Sequence, residues 1–143
     1  ARDWESRPEL EPTRLDYRPV RYESRMQLAL AAADLVVCRS GGTTVAELAV
    51  IGVPSILVPL PIATRDHQTA NAGPLVRAGA AVLVPDGELD ADRLVDEVDA
   101  IVAGGPSRLA TMADAARSLG RPDAARAVAD LVESSARSGR GDR

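Results

Sequence analysis

Lysine is missing from the 143-residue chain; all 17 basic residues are arginines, scattered in a manner that fits codon bias rather than a basic patch. The net charge of −4 removes any case for nucleic-acid binding driven by bulk positive charge. A single cysteine, Cys38, excludes an intrachain disulfide, and no Cys/His spacing suits zinc. Cys38 itself reads as a small core residue. Long apolar runs are also lacking, since the longest falls far short of the roughly 20 residues a membrane span needs. The chain shows no leader pattern, which makes a cytoplasmic location the default expectation.

What is present is an ordinary globular composition, 45% hydrophobic and 27% charged, with length enough for one core. The opening ARDWESRPELEPTR has no methionine and no periodicity, and it reads as the middle of a longer protein. Residues 1–13 are therefore expected to be poorly structured, 14–136 to form one domain, and the polar end 137–143 to be disordered. Trp4 carries no pattern.

Between these ends the pattern alternates. RLDYRPVRY (14–22) reads as a strand, held to an edge by Pro19. SRMQLALAAAD (24–34) reads as a helix capped by Ser24. DLVVCR (34–39), PSILVPLP (54–61) and AAVLVPD (80–86) are short apolar runs expected of strands buried on both faces. TVAELAVIG (44–52) is helical and closes on Gly52, with Pro54 beyond it. HQTANAGPLVRAG (67–79) is helical, with a kink or break expected at Pro74. Three helical stretches follow. The first is capped by Asp90, the second begins after the Gly-Gly-Pro break at 104–106, and the third carries Ala124, Val128, Leu131 and Val132 on one face. Asp90, Asp92, Asp96, Glu97 and Asp99 read as a solvated acidic face rather than a metal site. The sum is an α/β fold, a Rossmann-like parallel sheet with flanking helices, in which four strands are few for a complete domain.

In such sheets ligands bind beyond the carboxyl ends of the strands. Two segments fall there. The first is the turn Arg39, Ser40, Gly41, Gly42, Thr43 and Thr44, between a strand and a helix start. Glycines allow a ligand close to the backbone, and helix N-terminal N–H groups favour phosphate. Thr43 or Thr44 can cap the helix, and Arg39 adds positive charge. Glu47, one turn inside, has the wrong sign for phosphate but suits the vicinal hydroxyls of a ribose. An ordinary tight turn with an exposed glutamate explains the spacing equally well. The second segment brings His67, Gln68 and Asn71 to one face of a helix start, suited to sugar hydroxyls or simply to first-turn surface positions after an Asp66 cap.

Taken together, residues 33–84 resemble the C-terminal half of the MurG family of bacterial transferases. The likeness rests on the RSGGTTVAE block (39–47), the VPLP turn (58–61) and the HQTANA block (67–72), in that order and spacing. It extends from about residue 20 to about residue 135. It implies the C-terminal domain of a two-domain GT-B glycosyltransferase, here incomplete. The implied enzyme is an inverting hexosyltransferase that moves GlcNAc from UDP-GlcNAc to lipid I, making lipid II for peptidoglycan. By this resemblance the 39–44 turn holds the diphosphate, with Arg39 stabilising the leaving group, and Glu47 takes the ribose. Gln68 reads GlcNAc hydroxyls, His67 stands where some members have a second glutamine, and Asn71 belongs to the same block. Tyr22 to Met26 match a loop that contacts uracil through its backbone, with Glu23 in place of an apolar residue.

The family's GGS-x-GA loop and its acceptor-binding N-terminal domain, which supplies the base, do not occur in this chain, so the chain alone is expected to be inactive. The implied partners are UDP-GlcNAc and, through the N-terminal domain, lipid I at the inner leaflet of the plasma membrane, with no nucleic acid. No cofactor is implied in this half; a divalent cation such as Mg stays an option for the full enzyme. Two other readings share the plan: the donor-binding subunit of a split GT-B transferase, and an isomerase like UDP-GlcNAc 2-epimerase.

Overall fold

The computed structural model describes residues 16–61 and 67–138. Three short parallel strands, β1 (Val36–Cys38), β2 (Ser55–Leu57) and β3 (Ala81–Leu83), form one sheet in the order β1-β2-β3. Val36 pairs with Ser55, and Ser55 in turn with Ala81. The helices are α1 (Met26–Ala32), α2 (Gly42–Ile51), α3 (His67–Arg77), α4 (Ala91–Val102), α5 (Gly105–Leu119) and α6 (Ala124–Ser138), with a short 3-10 turn at Asp86–Glu88.

Alternation along β2 divides the core. Leu57 joins Leu48, Leu75, Ala72 and Ala116 on one side of the sheet. Ile56 joins Val84, Ile101 and Met112 on the other. Side chains of a strand point alternately to opposite faces, so a strand covered on both sides must be apolar throughout. Strand β2 is fully buried, apolar at Ile56 and Leu57, with Ser55 as its polar exception. Strand β1, first in the sheet order, is not covered on both faces, since its Val37 is exposed. Ser55 is fully buried and its hydroxyl has no hydrogen-bond partner among the described residues.

Several expected boundaries hold. Gly52 ends α2 in the left-handed region at φ 79°, and its N–H bonds to the Leu48 carbonyl. The Asp90 carboxylate accepts from the Arg93 N–H at 2.7 Å and caps α4. The 104–106 break separates α4 from α5, with Pro106 in the first turn of α5.

Others do not. The described part of the first expected strand, 16–22, is irregular, and its Tyr17, Val20 and Tyr22 are exposed. Pro19 offers no N–H to a ladder and no burial compensates for it. Residues 14 and 15 of that stretch, Trp4 and all of 1–13 lie outside the described residues. Ser24 does not cap α1; the N-cap is Arg25, with no side-chain cap. The Glu23 carboxylate instead accepts the Arg25 N–H at 2.7 Å. Pro74 does not break α3, which continues to Arg77. The expected disordered end begins too early at 137, because α6 runs to Ser138; 139–143 lie outside the described residues. Helix α6 itself buries no side chain from 124 to 137, so Val128, Leu131 and Val132 form an uncovered apolar face.

Candidate functional site at the carboxyl ends of the strands

The Arg39–Thr44 turn leaves the carboxyl end of β1 and enters α2. Gly41 is the N-cap residue, with no side-chain cap, and its carbonyl accepts the first helical N–H from Val45 at 2.9 Å. The threonines therefore do not cap the helix, as the spacing suggested they could: both lie inside its first turn, two and three residues past the cap position. The N–H groups of Gly42, Thr43 and Thr44 have no partner among the described residues. Unpaired N–H groups at the positive end of a helix form a binding site for an anion.

The two glycines are not needed by the fold. Neither has a positive φ; Gly41 sits at −62°. A Cβ on Gly41 would meet only the Thr44 hydroxyl at 3.8 Å, and one on Gly42 only the Asn71 amide at 3.8 Å. Both distances are ordinary van der Waals contact. Something outside the chain's own packing accounts better for bare backbone at this point.

Ser40 is fully buried and joins the two sequence blocks. Its hydroxyl donates to the Gln68 carbonyl at 2.8 Å, and its carbonyl accepts from the Asn71 side-chain amide at 3.2 Å. The Gln68 side-chain oxygen accepts the Leu60 N–H at 3.0 Å. So the HQTANA block is brought against the glycine turn, and Asn71 takes a structural role. With its oxygen engaged, Gln68 has a side-chain NH2 with no partner among the described residues. His67 stands exposed at the start of α3. The Asp66 cap lies outside the described residues.

Arg39 departs from expectation. Its Nη1 donates to the Val58 carbonyl at 3.3 Å, to the Pro59 carbonyl at 3.2 Å, and to the Asp86 carboxylate. It is an ion-paired group rather than a free cation, and it ties the ends of all three strands together. Asp86, 47 residues away, was not visible in the sequence as a site residue. Its only signal was its place just past the third apolar run.

Glu47 lies exposed on α2 and, with Thr43, Gln27, Ala46, Val50 and Ile51, lines a cleft of about 300 Å³. Tyr22 is 84% exposed and is not among the cleft's lining residues. Glu23 is half-buried but engaged with its own backbone neighbour. Cys38, just before Arg39, is half-buried, and burial pushes its thiol pKa up. Among the described residues no group of three His, Cys, Asp or Glu side chains is placed to hold a metal ion. None of the described helices is long and apolar enough to cross a membrane.

Three parallel strands joined through helices define a Rossmann-like α/β domain, with the glycine turn and the Glu47 cleft as its candidate site. The glycosyltransferase family 28 C-terminal domain matches residues 3–128, and the chain belongs to that family. One relative, from Alkalilimnicola ehrlichii, is 55% identical over 112 residues, which is 78% of this chain and 31% of the relative. Another, from Mycobacterium avium, is 50% identical over 116 residues, 81% of this chain and 28% of the relative. Both are named UDP-N-acetylglucosamine--N-acetylmuramyl-(pentapeptide) pyrophosphoryl-undecaprenol N-acetylglucosamine transferase. The crystal structure of Acinetobacter baumannii MurG superimposes with a TM-score of 0.74 at 36% identity, over 80% of this chain and 33% of that one. The chain thus spans about a third of the length of its relatives, and its fold is that of the C-terminal Rossmann-like domain of a GT-B glycosyltransferase.

Proposed function

We propose that this chain is the donor-binding part of an inverting GlcNAc transferase, one that moves the sugar from UDP-GlcNAc to lipid I. The observation that carries the reading is the glycine turn. Its three N–H groups have no partner among the described residues and adjoin two glycines that internal packing does not require. Kinship with transferases named for this reaction supports UDP-GlcNAc as the ligand.

On this reading the diphosphate rests on the N–H groups of Gly42, Thr43 and Thr44, and Glu47 accepts two hydrogen bonds from the ribose at the cleft. Gln68 donates from its side-chain NH2 to GlcNAc hydroxyls, with exposed His67 beside it. Tyr22 and Glu23 belong to the stretch next to the base; their contribution is backbone, since Glu23 is spent on Arg25. When the acceptor hydroxyl attacks the anomeric carbon, negative charge grows on the departing UDP. Fixed N–H dipoles stabilise that charge without reorganising, aided by Arg39. The base and the acceptor site come from the partner domain of the full enzyme, which works at the cytoplasmic face of the membrane.

Glu47→Ala tests the assignment. Loss of two charge-assisted bonds should weaken UDP-GlcNAc binding by about 1–3 kcal/mol, read as donor KM or as Kd by calorimetry. An unchanged donor affinity counts against the ribose role. Conversion of UDP-GlcNAc to its epimer without acceptor would overturn the transferase reading itself.

A further inference from the structure

Arg39 uses one nitrogen for all its contacts within the described residues. Nη1 is held by the Val58 and Pro59 carbonyls and by Asp86, while Nε and Nη2 have no partner there. The side chain is still 48% exposed. A guanidinium presents its donors in a rigid planar fork, so fixing one nitrogen fixes the direction of the others. The two backbone carbonyls carry only partial charge and belong to the central strand's end. Asp86 is the one charged anchor, and it comes from the far strand through the 3-10 turn at Asp86–Glu88.

We propose that Asp86 is a positioning residue for the nucleotide diphosphate: it pins Arg39 through Nη1, leaving the Nε and Nη2 edge open as a preset anion receptor. This rests on the donor-site reading above and adds to it a residue from β3's end. Two physical effects oppose each other at this pair. Pinning removes the rotamer freedom that a free arginine would lose on binding. The carboxylate also offsets part of the guanidinium's charge, which weakens its pull on an anion. The half-exposed setting screens the second effect more than the first, because solvent damps charge but does not restore geometry.

The 143-residue chain is titrated with UDP and, separately, with uridine, following amide shifts by NMR, for the unaltered protein and for Asp86→Ala, Asp86→Asn, Arg39→Ala and the Arg39→Ala/Asp86→Ala pair. Asp86→Ala should weaken UDP roughly fivefold, the scale of one charge-assisted contact, and leave uridine unchanged. Asp86→Asn, which keeps an acceptor, should recover most of the loss. The paired variant should bind UDP no more weakly than Arg39→Ala alone. UDP binding that is unchanged or tighter in Asp86→Ala would overturn the proposal, as would an equal loss of uridine, which marks general distortion. Those failures leave the unaltered chain binding UDP. If the unaltered chain bound neither ligand, the donor-site reading would fall, and this proposal with it.

Discussion

Glycines stand at both ends of the sheet, and they are there for different reasons. At the amino end, Gly52 and Gly79 turn the chain into β2 and β3 with φ of 79° and 77°. Nearby, Gly120 lets the end of α5 pass α2 so closely that a Cβ would lie 2.8 Å from the Ala49 carbonyl oxygen. The fold demands these residues. At the carboxyl end, Gly41 and Gly42 have negative φ and room for a side chain. A glycine required by backbone geometry explains itself. One that is not required directs attention to what approaches from outside, and here that is the start of a helix with open N–H groups.

Gly52→Ala should destabilise by about 2–4 kcal/mol, because it forces an L side chain into the left-handed region and into the Arg117 side chain. Thermal or urea unfolding checks it, and an unchanged midpoint would mean that the amino-end glycines are not demanded either. Gly120→Ala should cost somewhat less, about 1–3 kcal/mol, since α5 can shift slightly away from α2. It should lower the unfolding midpoint without altering donor affinity.

The smallest effect probes how firmly the carboxyl end is packed. Cys38 is half-buried and its thiol is shifted upward by desolvation, so less thiolate exists at a given pH. Alkylation at mildly alkaline pH should be slower than for a free thiol, with a rate profile displaced to higher pH. Folding favours the neutral thiol, so this residue's contribution to stability is full below the unfolded thiol's range and declines as pH rises beyond it. A rate equal to that of a free thiol would show the end of β1 to be open.

Much of this was legible in the chain. The three short apolar runs became β1, β2 and β3, although only β2 is buried throughout, and Gly52, Asp90 and the 104–106 break closed or opened helices where local chemistry said they should. These signals are local, set by propensity and capping within a few residues. The misses were not local. Alternation at 14–22 suggested a strand, yet a strand needs a partner, and Pro19 and exposed aromatics at 16–22 found none. Thr43 and Thr44 had the right chemistry for a cap but stood two and three residues past the cap position, a shift that spacing cannot resolve. The Arg39–Asp86 pair joins residues 47 apart, and the Ser40 clamp on Gln68 and Asn71 joins blocks about 30 apart. Only the sheet's order makes those residues neighbours. A structural part for Asn71 was a reading the sequence allowed; that it would hold the Ser40 carbonyl, and that the Gln68 oxygen would be spent on the Leu60 N–H, was not legible.

The most direct test puts stability and binding side by side in Gly42→Ala, at the first helical position of α2. Alanine there should leave the unfolding midpoint unchanged or raise it, by up to about 1 kcal/mol of stability, since it favours the helix and meets no clash. UDP-GlcNAc affinity, measured on the same sample, should fall by about tenfold as the methyl crowds the diphosphate. A lowered midpoint with donor affinity intact would contradict the account, because it would place the need for this glycine in the fold rather than in the ligand.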